Sequence, residues 1–158
     1  MTAPATFTYR FRVRYGECDA QGIVFNARWG EYVDIAATEY TRALSGAVDP
    51  GEGATGAALD WRLRKQLVEW RAPARFDWVL DARVTTFAVG TTSFTLRTTV
   101  HRVTGDAGDA PAPPLVIAET VYVVVDPAAG AKLPIPDRHR AALLAGDGGV
   151  VDCSGQRR

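Results

Sequence analysis

The sequence has few cysteines, few histidines and no excess of either charge. Cys18 and Cys153 are the only cysteines among 158 residues, which argues against a disulfide framework and favours a reducing compartment. Eighteen basic residues balance eighteen acidic ones, so no global field attracts nucleic acid or an anionic membrane. A metal site would need three or four converging ligands, and the pattern contains no such set. We therefore expect no nucleic-acid partner, no membrane partner and no metal.

Long apolar runs are also missing. No segment approaches the roughly 20 apolar residues that span a bilayer, and the N-terminus lacks the basic and apolar regions of a signal peptide. The hydrophobic fraction of 47% is ordinary for a globular protein, and a chain of this length fits one domain. We expect a cytoplasmic protein with a single domain over residues 1–158, a core from about 6 to 145 and a flexible tail from 146 to 158.

The hydrophobic period changes along the chain. Aromatic and β-branched residues alternate with arginines from Thr6 to Tyr15, which is typical of a half-buried strand. From about Ala27 to Ser45 the period becomes helical, which predicts an amphipathic helix of about five turns. The later features that we expect are a bulge near Leu67, a hairpin about Val89–Thr91, a strand buried on both faces at Leu115–Val125, and a short helix at Asp137–Ala145.

This order of elements predicts an α+β fold. One antiparallel sheet of five strands would pack against the long helix, and the short helix would lie at the C-terminal end. A single layer of this kind leaves part of the sheet exposed, so we also expect the chain to self-associate.

The stretch from Asp19 to Tyr32 is the most informative part of the sequence. It places one carboxylate, that of Asp19, and one glycine, Gly22, between the first strand and the long helix. A helix N-terminus offers unpaired backbone N–H groups and the positive end of a dipole. An acid beside such donors could attack, or activate water against, a carbonyl whose oxygen rests on the helix start. The pattern therefore indicates hydrolysis of an acyl group.

Each of these residues also has a purely structural interpretation. Asp19 could cap a helix or shape a turn, because Asp-x-x-Gly is common in loops. Gly22 could serve a turn that needs a positive φ. The side chain of Asn26 is better explained as a helix-start residue, and Cys18 as a small buried thiol. Glu17 and Glu39 are interpreted as structural or surface carboxylates, and His101 and His139 as surface residues.

The whole pattern resembles the hotdog-fold thioesterases, in particular the 4-hydroxybenzoyl-CoA thioesterase-like family of acyl-CoA thioester hydrolases. The likeness covers nearly all of the chain from Phe7 to Leu144. The first and most specific motif runs from Arg14 to Val24 and continues with Trp29, Tyr32 and Thr38–Tyr40. Two supporting blocks are Arg71–Arg75 with Asp77, Gly90, Ser93 and Phe94, and Val121–Gly130.

The resemblance implies a hotdog fold, in which the five-stranded antiparallel sheet wraps around the long helix. It implies that Asp19 is the nucleophile or general base, that Gly22 leaves room for the acyl carbonyl, and that the main-chain N–H of Asn26 polarises this carbonyl. Many relatives carry histidine or an aromatic residue at the position of Asn26. The substrate contacts implied near the helix start and the pantetheine arm are Ile23, Val24, Phe25, Trp29, Gly90 and Ser93.

The resemblance also implies a site between two subunits of a homodimer or a dimer of dimers. No cofactor is expected, because coenzyme A is part of the substrate. Trp29 could equally be a core residue. Five basic residues could meet the phosphates of coenzyme A: Arg62, Arg64, Lys65, Arg75 and Arg97. Each of them alone is better explained as part of a solvated strand face.

We therefore expect an acyl-CoA thioesterase that releases a free acid and coenzyme A. Two alternatives stay open at this point. A thioesterase for acyl carrier proteins would use the same core and dock a protein, and a non-catalytic acyl-binding module would bind ligand without turnover. A hotdog dehydratase is disfavoured because no histidine occupies the helix-start motif.

Overall fold

The computed structural model describes residues 6–45, 60–105, 112–146 and 150–152. Six strands and two helices lie in this part of the chain, and a short 3-10 turn at Tyr15–Glu17 follows the first strand. In chain order they are β1 (Phe7–Arg12), α1 (Arg28–Ser45), β2 (Asp60–Trp70), β3 (Val79–Val89), β4 (Ser93–Arg102), β5 (Pro114–Val125), α2 (Asp137–Ala145) and β6 (Val150–Asp152). No helix among the described residues is long and apolar enough to cross a membrane.

The strands form one sheet in the order β2-β5-β4-β3-β1-β6. The strands β1 to β5 are antiparallel to one another, and α1 packs on the sheet, so the predicted five-stranded α+β arrangement is confirmed. Three residues of β6 pair in parallel with β1, which the sequence analysis did not predict. The remainder of the predicted tail after Gly146 lies outside the described residues, as do Gly46, the loop 51–56 and most of the loop 105–114.

The long helix buries the face that its sequence period predicts. Its inward side chains recur every three or four residues and pack on the apolar face of the sheet. The hydroxyl groups of Tyr40, on α1, and Thr86, on β3, lie 2.8 Å apart and share a hydrogen bond. The buried residues of α1 are Trp29, Tyr32, Val33, Ala36, Ala37, Tyr40 and Thr41.

Two strand predictions need correction. The bulge in β2 lies between Leu63 and Lys65, not near Leu67. Leu63 pairs with the buried Tyr122, whereas Leu67 pairs with Glu119 on the opposite face of the sheet and is 58% exposed. The alternation was misread because exposed leucines occupy both faces of this strand.

The strand β5 is fully buried on one face only. Its inward residues from Val116 to Val124 are all buried, while the alternate residues Ile117, Glu119, Val121 and Val123 are half-buried in this chain. The strand β1 also ends earlier than predicted, at Arg12: the backbone N–H of Val13 still binds the carbonyl of Trp78, and the chain then turns at Tyr15. Tyr15 is therefore exposed instead of lying on the inward face.

Candidate active site

Asp19 and Gly22 close a tight hairpin turn. The backbone N–H of Gly22 donates to the Asp19 carbonyl at 2.9 Å, and the Asp19 N–H donates to the Ile23 carbonyl at 2.9 Å. The carboxylate oxygen Oδ1 of Asp19 accepts the Gln21 N–H at 2.8 Å. Gly22 has a φ of 73°, which is typical of the last position in a three-residue hairpin loop. The structural interpretation of both residues is thus correct, and any catalytic role is additional to it.

The two arms of this hairpin orient Asp19 outward. Cys18 pairs with Val24, and Ile23 pairs in turn with Arg75. Because directly paired residues point to the same side and successive residues alternate, the buried Val24 places Ile23 and Asp19 on the opposite, outer side. Both side chains are half-buried there. The second carboxylate oxygen of Asp19, Oδ2, accepts no hydrogen bond from the described residues.

The start of α1 supplies free N–H groups beside this hairpin. The N–H of Arg28 donates to the Phe25 carbonyl at 2.9 Å, and the N–H of Trp29 donates to the Asn26 carbonyl at 3.3 Å. In the part of the chain that the structure describes, the N–H groups of Asn26 and Ala27 have no acceptor, and both residues are exposed. Two donors of this kind form an anion-binding position at the positive end of the helix. The sequence analysis predicted a carbonyl contact only for the N–H of Asn26. Whether the N–H of Ala27 also lacks an acceptor depends on the exact first residue of the helix, which the sequence does not fix.

The predicted substrate-contacting residues divide into two groups. Ile23 and Phe25 are accessible near Asp19, and Phe25 is 52% exposed. Val24 and Trp29 are buried in the core, where Trp29 packs edge-on against Tyr32 with 5.6 Å between ring centroids. Of these four residues, Ile23 and Phe25 are therefore the two that can meet a ligand in this conformation.

Gly90 and Ser93 lie far from Asp19 within one chain. They close the hairpin between β3 and β4, where the Gly90 N–H donates to the Ser93 carbonyl at 2.7 Å. The segment beside Asp19 joins the other end of β3, and eleven strand residues span about 35 Å. The structure does not bring Gly90 and Ser93 to the Asp19 hairpin, so a shared site would require a second copy of the chain.

An exposed aromatic pair beside the hairpin was missed by the sequence analysis. The rings of Tyr15 and Phe76 meet edge to face with 5.9 Å between centroids, and both are more than half exposed. Phe76 follows Arg75, which pairs with Ile23. The pair was missed because the sequence predicts that β1 continues to Tyr15, which would have turned the Tyr15 side chain inward.

The remaining reactive side chains are occupied elsewhere. Burial, and then the charges of Glu17 and Asp19, raise the pKa of the Cys18 thiol, which disfavours a thiolate. His101 is buried, contrary to the prediction of a surface residue, and its Nδ1 lies 2.6 Å from the Ala112 carbonyl. Among the described residues, no group of three or more His, Cys, Asp and Glu side chains could hold a metal ion.

The predicted phosphate-binding arginines and lysine are spread over the sheet. Arg62 pairs with Asp60 at 3.5 Å, and Arg97 pairs with Glu119 at 2.6 Å. Of the five, Arg75 lies beside the Asp19 hairpin through its pairing with Ile23. Through their register with β5, Arg62, Lys65 and Arg97 share the outer face of the sheet, whereas Arg75 lies apart from them beside the hairpin.

Comparison with known proteins gives structural likenesses only. No protein-family model matches the sequence, and no curated protein is significantly similar to it. Among solved structures, a 1,4-dihydroxy-2-naphthoyl-CoA thioesterase from Synechocystis is 18% identical with a TM-score of 0.74, covering 89% of this chain and 96% of that one. An Asp-to-Asn mutant of 4-hydroxybenzoyl CoA thioesterase, complexed with 4-hydroxybenzoyl CoA, is 18% identical with a TM-score of 0.74, covering 87% and 98%.

A gentisyl-coenzyme A thioesterase is 22% identical, with a TM-score of 0.69 and coverage of 86% of this chain and 98% of that one. At these identities the shared property is the backbone arrangement, and it extends over almost the whole of each neighbour. The chain therefore has the hotdog fold that its sequence pattern predicts, the fold of these acyl-CoA thioesterases.

Proposed function

We propose that this protein is a thioesterase that hydrolyses an acyl-CoA thioester to a free acid and coenzyme A. The observation that carries the proposal is that the hairpin of Asp19 and Gly22 leads directly into the start of α1, where the N–H groups of Asn26 and Ala27 have no acceptor among the described residues. Structural neighbours that act on aryl-CoA thioesters share the same fold. A carboxylate and an anion-binding helix start are the two elements that acyl hydrolysis needs.

In the proposed reaction the thioester carbonyl oxygen rests on the N–H groups of Asn26 and Ala27. Asp19 takes a proton from water as the water oxygen bonds to the carbonyl carbon, and the N–H groups hold the resulting oxyanion. Each such donor contributes about 3 kcal/mol in other enzymes. The carbon–sulfur bond then breaks, and the proton on Asp19 passes to the departing thiolate.

Direct attack by Asp19 is an equivalent route for this geometry. The carboxylate oxygen would form a mixed anhydride as the thiolate leaves, and water would then hydrolyse the anhydride. Both routes suit a single carboxylate, because a thiolate leaves readily and needs no strong base. Neither route requires a metal or a cofactor, since coenzyme A enters as part of the substrate.

A non-catalytic acyl-binding module is the second candidate. The observation that favours it is the hydrogen bonding of Asp19, which the turn alone explains. A thioesterase for acyl carrier proteins would have the same core, and its activity would depend on the carrier protein. The cytoplasmic location, the single domain and the expected absence of nucleic-acid and membrane partners stay predictions.

We further propose that the chain acts as a homodimer or a dimer of dimers. The strand β2 lies at one edge of the described sheet and carries exposed apolar side chains. Leu63 is 55% exposed, Leu67 58% and Trp70 54%. An edge strand with unpaired backbone groups and apolar side chains favours pairing with another chain. A second copy could also bring its Gly90 hairpin towards the Asp19 of the first.

The test is a thiol-release assay with short-chain, long-chain and aryl acyl-CoAs. We expect at least one substrate to reach a kcat/KM of about 10⁴ M⁻¹ s⁻¹ or more, which is the lower end of the usual enzyme range. Saturable binding of acyl-CoA without release of thiol from any substrate would favour the acyl-binding module. Turnover only of acyl carrier protein substrates would favour the carrier-protein enzyme.

A further inference from the structure

The carboxylate of Glu17 joins three segments of the candidate site. The phenol of Tyr32, on α1, donates to Glu17 Oε2 at 2.6 Å, and the backbone N–H of Arg14 donates to the same oxygen at 2.7 Å. The guanidinium Nε of Arg14 lies 3.9 Å from the other oxygen, Oε1. Only 15% of the Glu17 side chain is exposed, so this carboxylate is held in place and is not a solvated surface group.

The partner of Glu17 is itself fixed. The Tyr32 ring is buried, and it packs against Phe11 with 4.5 Å between centroids and against Trp29 with 5.6 Å. Burial, and then the hydrogen bond with Glu17, raise the pKa of the Tyr32 phenol, so the hydroxyl keeps its proton and donates. A hydrogen bond from a fixed donor to a carboxylate is among the stronger side-chain interactions.

The backbone of Glu17 connects the same elements. Its carbonyl accepts the N–H of Phe25 at 3.0 Å, and Phe25 immediately precedes Asn26. Glu17 also stands two residues before Asp19. One residue is therefore bonded to the helix start through its carbonyl, to the next turn of α1 through its carboxylate, and to the Asp19 turn through the chain.

We propose that Glu17 is a positioning residue, whose carboxylate, bound by Tyr32, holds the Asp19 turn at a fixed separation from the free N–H groups of Asn26 and Ala27. This inference rests on the proposed thioesterase function. Glu17 does not touch the substrate in this account. It acts on the rate because the attacking oxygen and the oxyanion donors belong to different segments, and small displacements between reacting groups cost large factors in rate.

The competing interpretation is that the pair only stabilises the fold. A structural role would lower the melting temperature of the variants without changing kcat at temperatures where they are folded. A positioning role would lower kcat while leaving KM nearly unchanged, because distant parts of the substrate would bind as before. The split between kcat and KM therefore separates the two interpretations.

The experiment compares Tyr32→Phe, Glu17→Ala and the double variant with the wild type. Tyr32→Phe removes one oxygen atom and keeps the buried ring. We expect each single variant to lower kcat about tenfold and to keep KM within about twofold of the wild type. The kcat of the double variant should be within about twofold of that of Glu17→Ala, because the two residues act as a unit. Glu17→Gln retains an acceptor oxygen and should lose less than about threefold.

Glu39→Gln is the matched control, because the half-buried Glu39 pairs with Arg42 in a later turn of the same helix, so the substitution should leave kcat unchanged. A kcat within twofold of the wild type for folded Tyr32→Phe would overturn the proposal, and so would losses that multiply in the double variant. Wild-type enzyme without thioesterase activity would refute the proposed function itself, which is a separate outcome from an active wild type whose variants are unaffected.

Discussion

Substitution of Gly22 by alanine tests whether this glycine does more than form a turn. A side chain at Gly22 would meet no heavy atom within 4 Å, so the change introduces no steric clash. Its cost comes from the φ of 73°, because left-handed backbone costs an alanine roughly 1–2 kcal/mol. For a protein of this size we expect the melting temperature to fall by about 2–8 °C.

Gly130→Ala provides the matched control for this effect. Gly130 has a φ of 66°, also has open space at its Cβ position, and closes the turn that begins at Asp126. The two alanine variants should therefore lose similar stability, as measured by thermal or urea unfolding. A third variant, Gly16→Ala, lies in the same region as Gly22 without a positive φ, and should be close to neutral in stability.

Activity separates the two positive-φ glycines. If Gly22 keeps the approach to the Asp19 carboxylate open, Gly22→Ala should lower kcat/KM by about tenfold to a hundredfold, because a small displacement of reacting groups is costly. Gly130→Ala should retain the wild-type kcat/KM at temperatures where it is folded. Equal activities of the two variants would refute a functional role for Gly22 and leave it as a turn residue alone.

Two further predictions concern assembly and pH. Leu67→Lys places a charge on the exposed edge strand β2 and should shift the oligomer towards monomer in sedimentation velocity. Leu144→Lys, on α2, is the control and should leave the oligomer unchanged. An unchanged dimer in both variants would contradict an interface at β2. Burial, and then Arg138, lower the pKa of His139, so the unfolded chain binds the proton more readily and stability should fall as the pH drops below about 6.5. His139→Asn should show a smaller loss in urea unfolding at pH 5 than the wild type, and an equal loss would contradict this assignment.

The main elements were predictable because burial periodicity is a local property. The inward stripe from Trp29 to Tyr40 recurs at helical spacing, and α1 begins within one residue of the predicted start. The hairpin at Gly90 was likewise marked by a turn between two alternating strands. In each case the sequence pattern and the tertiary environment agree, which is the condition under which local reading succeeds.

The errors occurred where tertiary contacts override the local pattern. Leu67 has the residue type of a core position but lies on an exposed edge strand. Assigning it to the inward face put the predicted bulge at the wrong position. His101 was assigned to the surface by its strand parity, yet the Ala112 carbonyl covers it. The role of Glu17 depends on Tyr32, fifteen residues away, and no spacing rule connects a carboxylate before the turn to a phenol on the helix.

The candidate site was predicted in part for the same reason. Asp19, Gly22 and Asn26 are close in sequence, so their proximity follows from one hairpin and one helix start. Gly90 and Ser93 belong to the opposite end of β3, and their assignment to the same site depended on resemblance. Whether they meet Asp19 is a property of the assembled oligomer.

The most direct test of the central claim is the turnover of Asp19→Asn on the best acyl-CoA substrate. Asparagine keeps an Oδ1 acceptor for the Gln21 N–H, so the turn and the melting temperature should be preserved while the carboxylate charge is lost. Asp126→Asn is the control, because Asp126 accepts the N–H groups of Ala128 and Ala129 in a comparable turn. We predict that kcat falls at least about a hundredfold for Asp19→Asn alone. Turnover near the wild-type rate in a folded Asp19→Asn protein would contradict the account.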